Sequence, residues 1–96
     1  MTYAELIEKA LRGRSVNKAA HDMGITQTLL NKYKLGVNLP GFLNALILAK
    51  EAGVSENEAM RVLALEEAKR KGMLDQVKQV FRKLFNAPEQ GIRMAR

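Results

Sequence analysis

Apolar residues fall at three- and four-residue spacing almost from the first position. Leu6, Ile7, Ala10 and Leu11 follow Thr2-Tyr3-Ala4-Glu5 with the period of a helix that buries one face. Thr2 and Glu5 form a capping box, in which a hydroxyl and a carboxylate satisfy exposed backbone N–H groups reciprocally. The pattern therefore predicts a helix over about 3–12, with Gly13 in the left-handed position beyond its end. Ser15 is placed to cap a short second helix, about 16–22, with Val16, Ala19, Ala20 and Met23 on its buried side. Gly24 breaks the period, and Thr26 caps a third helix, about 27–34, that buries Leu30 and Tyr33.

Gly, Asn and Pro content makes residues 35–41 a loop, and Pro40 suits the first turn of a helix over about 41–52 rich in Phe42, Leu43, Leu46, Ile47 and Ala49. Gly53 ends it. Ser55-Glu56-Asn57-Glu58 is a second capping box, opening a helix that runs to Lys71, and Gly72 breaks the chain again. The last helix, about 73–85, carries Met73, Leu74, Val77, Val80, Phe81, Leu84 and Phe85 as an apolar stripe with basic residues opposite, and Asn86-Ala87-Pro88 stops it. No run alternates with period two between hairpin signals, so no sheet is expected. The expected fold is all-α: a five-helix core with an additional C-terminal helix. The expected division is a domain over 1–71, a C-terminal helix over 72–86 and a flexible tail over 87–96.

Charge adds a direction to this plan. Sixteen Lys and Arg against ten Asp and Glu leave 96 residues with a net charge of +6. Residues 9–34 carry +5 and residues 69–83 carry +5, while residues 35–68 between them carry −3. Two basic blocks on one small domain favour a polyanionic partner, nucleic acid before anionic membrane, although a solvated basic surface has the same composition. A 15-residue stretch, Leu35 to Ala49, holds no charge at all, but Asn38, Pro40, Gly41 and Asn44 interrupt it, so it is not read as a membrane span. The N-terminus lacks a basic segment followed by an apolar one, and a cytoplasmic protein is expected.

Candidate chemistry is sparse. The chain contains no cysteine and one histidine, which excludes a disulfide framework, a thiol nucleophile and a His-rich metal site. His21 beside Asp22 is the one potential base. Without a nucleophile motif, a Gly-rich phosphate loop or a metal-ligand cluster, the expectation is a non-enzyme with no cofactor and no small-molecule substrate.

The informative segment is Ala20-His21-Asp22-Met23-Gly24-Ile25-Thr26-Gln27-Thr28-Leu29-Leu30. Two short helices cross steeply when the first presents a small residue at the crossing and the chain reverses through glycine within about three residues. Ala20 and Gly24 supply both, and Ile25, Leu30 and Tyr33 lock the pair, a helix-turn-helix over 16–34. The run from Ile25 to Gly36, followed by Pro40, by Leu43, Leu46, Ile47 and Ala49, and by Gly53-Val54-Ser55, resembles the lambda-repressor and Cro-like family of DNA-binding domains over residues 3–65. The basic last helix is similar to that of small phage-related regulators.

The resemblance implies a lambda-repressor-like core that binds double-stranded DNA in a bacterial cell, with the third helix in the major groove. It places Gln27, Thr28, Asn31 and Lys32 toward the bases. Gln27 and Asn31 suit adenine N6 and N7, Lys32 suits guanine or phosphate, and Thr28 suits base or backbone. It places Ser15, Asn17, Lys18, Lys34 and Asn38 toward phosphates. Val16 stands where the family often has a phosphate-binding Gln, which shifts weight to Asn17 and Lys18. Leu29 either touches a thymine methyl or completes the core. A homodimer reads two half-sites about 34 Å apart, and the stripe of Val77, Phe81, Leu84 and Phe85 is the expected dimer contact. The implied function is a phage-type repressor. The same module also serves antitoxins, packaging and replication factors, and a protein-binding antirepressor would use the helices without DNA.

Overall fold

The computed structural model describes residues 1–85, and the Phe85 side chain, Asn86 and the expected tail over 87–96 lie outside the described residues. Six helices follow one another: α1 (Tyr3–Leu11), α2 (Val16–Met23), α3 (Gln27–Leu35), α4 (Phe42–Ala52), α5 (Glu56–Lys71) and α6 (Leu74–Phe85). No strand occurs among the described residues, as the period analysis expects.

Local chemistry sets the helix starts. The Thr2 hydroxyl accepts the Glu5 N–H at 3.1 Å, and the Glu5 carboxylate accepts the Thr2 N–H at 2.7 Å. That second bond holds the Glu5 carboxyl below its ordinary range. Ser15, Thr26 and Ser55 each accept an N–H three residues on, from Lys18, Leu29 and Glu58. The Glu58 carboxylate also lies 3.8 Å from the Met1 ammonium. Two details differ from the sequence expectation. Gly13 is left-handed as expected (φ 73), but Arg12 before it is left-handed as well (φ 52), its N–H bonded to the Glu8 carbonyl and its guanidinium 2.7 Å from Glu51. Pro40 precedes the N-cap Gly41 and so lies outside the first turn of α4.

The chain falls into two units, Met1–Leu63 and a second beginning at Ala64, so the junction lies within α5, while the sequence reading draws its boundary at Gly72. In the first unit α1 packs against α4 and α3, and α2 packs against α3. Leu6, Leu30 and Leu48 are the fully buried large side chains, and Tyr3, Ile7, Leu11, Met23, Tyr33, Val62 and Leu63 complete the core around them. No buried side-chain polar atom lacks a hydrogen-bond partner among the described residues. In the second unit the end of α5 carries two i,i+4 ion pairs, Arg70–Glu66 at 3.0 Å and Lys71–Glu67 at 2.9 Å. Ala64, Ala68, Met73 and Val77 line a small groove there. No helix among the described residues is long and apolar enough to cross a membrane.

Candidate nucleic-acid interface

The turn between α2 and α3 is built by backbone geometry that only glycine adopts cheaply. Gly24 has φ 76; its N–H reaches the His21 carbonyl and the Ile25 N–H reaches the Ala20 carbonyl, the paired bonds of a Schellman motif. Ala20 is buried, and Ile25 is half-buried against the core. α3 then starts at Gln27 under the Thr26 cap.

Four side chains fix the rotation of α3 about its axis. Leu30 and Tyr33 are buried, the Tyr3 hydroxyl donates to the Tyr33 carbonyl at 2.7 Å, and the Asn44 amide donates to the Tyr33 hydroxyl at 2.7 Å. α1 and α4 thus grip one side of α3. At about 100° per residue, Gln27, Thr28, Asn31 and Lys32 share an arc of about 140° on the other side. All four are exposed. Leu35 falls within the same arc and is also exposed. Leu29 is half-buried and packs against the core, which favours the second of its two readings.

The residues assigned to phosphate differ among themselves. Ser15, Asn17, Lys18, Lys34 and Asn38 are all exposed. Val16, however, is half-buried against the core, so its side chain belongs to the interior. Ser15 uses its oxygen as the cap of α2, leaving its O–H to donate. Lys18 is already engaged, because its ammonium lies 2.8 Å from Asp22 on the next turn of α2. Lys32 and Lys34 make no ion pair among the described residues.

Part of the first basic block is neutralised by a network that sequence reading misses. Arg14 donates to the Leu11 and Ala10 carbonyls at 2.8 and 2.7 Å, closing the end of α1, and also binds Asp22 and Glu51, each at 2.9 Å. Arg12 shares Glu51. Burial works against the Arg14 charge, but the hydrogen bonds to Glu51 and Asp22 outweigh it and raise its pKa. Lys18, then Arg14, hydrogen-bond the charged form of Asp22 and hold its carboxyl below the ordinary aspartate range. A signal for part of this exists in the chain: Lys18 and Asp22 are four apart on a short helix.

In α6, Val77 and Phe81 are half-buried while Val80 and Leu84 are exposed. The described residues contain no group of three or more His, Asp or Glu that could hold a metal ion. His21 is exposed. The chain matches no protein-family model, no curated protein sequence and no solved structure.

Proposed function

We propose that this chain is a sequence-specific, double-stranded-DNA-binding transcriptional regulator, a phage-type repressor that occupies an inverted-repeat operator as a homodimer through α6. The observation that carries the reading is α3 itself. Its buried side is pinned by Leu30 and by Tyr33 bonded to α1 and α4, and its free side offers two amides, a hydroxyl and an ammonium on a rigid helix of nine residues. Rigid amide donors and acceptors on one helix face are what base-edge readout in the major groove needs. Occlusion of a promoter requires occupancy only, so the reading involves no cofactor.

Selection of bound duplexes from a random pool tests it, with an Asn31→Ala, Lys32→Ala variant in parallel. The wild type is expected to enrich a paired, inverted motif that the variant loses. Asn31→Ala alone should cost about 1–3 kcal/mol on the selected site. Salt-sensitive binding without enrichment would reduce α3 to a generic basic surface and defeat the proposal.

A further inference from the structure

Five of the seven exposed large apolar side chains of the first unit fall in one segment, Met1 and Met60 being the other two. Phe42 is 80 % exposed, Leu43 71 %, Leu35 68 %, Val37 64 % and Leu46 49 %, and all five lie within twelve residues, from the last residue of α3 to the second turn of α4. Phe42, Leu43 and Leu46 stand at i, i+1 and i+4 and share one side of α4, whose other side buries Ala45, Leu48 and Ala49 in the core. A helix that is apolar on its outward side as well as its inward side is built to be covered twice.

We propose that this face is a self-complementary docking surface for a second copy of the chain. Charge selects that occupant. Two copies at +6 repel one another over most of their surfaces, and residues 35–49 form the longest stretch of the chain that carries no charge. Lys34 and Lys50 bound the stretch, but none of its own residues offers a polyanion a cation, whereas a second copy meets an equally apolar segment. Area agrees: five such residues at these exposures present on the order of 600 Å² per copy. A two-fold pairing that covered all five on both copies would bury about 1,200 Å², the lower end of the range for a specific interface. The face belongs to a different unit from the α6 stripe and adds a contact to it. Self-association here does not depend on DNA binding. Only its consequence rests on the function proposed above: because the face begins at Leu35, the pairing fixes the separation of two copies of α3.

Sedimentation of the full-length chain without DNA tests the pairing, comparing wild type with Phe42→Ser/Leu43→Ser and with Val80→Ser/Leu84→Ser. The first variant should lose one two-fold association step, weakened by about tenfold or more, with its helical circular dichroism intact. The α6 variant should keep that step. A second measurement exploits the cysteine-free sequence: Leu43→Cys should oxidise to a covalent dimer about tenfold faster than Glu8→Cys, which is exposed on α1. Equal oxidation rates, or a wild type whose association is lost only through the α6 substitutions, would overturn the proposal. So would a wild type monomeric up to about 100 μM.

Discussion

Asp22 carries two cations at once, Lys18 on its own helix and Arg14 from the end of α1. Its carboxyl titrates lower in the folded chain than in the unfolded one, so it stabilises the fold above the ordinary aspartate pKa, and that contribution disappears as acid protonates it. Asp22→Asn should therefore melt below wild type at pH 7, and the gap should close as pH falls below about 4. Melts followed by circular dichroism at pH 7 and in acid decide it; a gap independent of pH would mean that the carboxylate's charge contributes nothing. Sequence reading finds the Lys18–Asp22 half of this arrangement within reach, because four residues on a helix are neighbours. It does not find Glu51, which lies 37 residues from Arg14 and meets it only because α1 packs on α4. The same limit explains Phe42 and Leu43. Their apolarity is legible, but a short helix apolar all round does not reveal which side the core takes.

Helix starts capped by Ser or Thr are the most legible elements, because each depends on contacts three residues long: Thr2 with Glu5, Ser15 with Lys18, Thr26 with Leu29. Helix ends are less so, and α1 shows why. Its end is closed by the Arg14 guanidinium on the Ala10 and Leu11 carbonyls, a long side chain doing what local sequence assigns to a glycine. The α2–α3 turn is the opposite case, with a glycine that cannot be replaced without strain. A Cβ at Gly24 would meet nothing within 4 Å, so the cost of Gly24→Ala comes from φ 76 alone. The expected loss is about 1–2 kcal/mol in urea unfolding. A loss under about 0.3 kcal/mol would mean that the helix end shifts to escape the strain, and the positions of Gln27 and Asn31 would then not depend on this turn.

At the scale of the molecule, the formal charge overstates what a polyanion meets. The block over 9–34 counts +5 with Asp22 already subtracted, and Glu51 from α4 lowers it by one more; Arg12, Arg14 and Lys18 share these two carboxylates, while Lys32 and Lys34 beside the exposed face of α3 carry no ion pair among the described residues. A lysine already neutralised by a carboxylate neutralises less phosphate charge and displaces fewer of the cations condensed on DNA, and Asp22 remains paired with Arg14 once Lys18 is gone. The salt dependence of the proposed DNA binding should then separate the two kinds of lysine. Each phosphate contact contributes a slope of about −0.9 in log K against log salt, so Lys34→Ala should flatten the slope by roughly 2 for a dimer. Lys18→Ala should flatten it by less than half as much. Titrations of one duplex at several salt concentrations measure both variants directly. Equal slopes for the two variants would show that the Lys18–Asp22 pair opens on DNA and that the formal count describes the bound state after all. The expected inequality would place the electrostatic contact at the end of α3, immediately before the uncharged stretch that begins at Leu35.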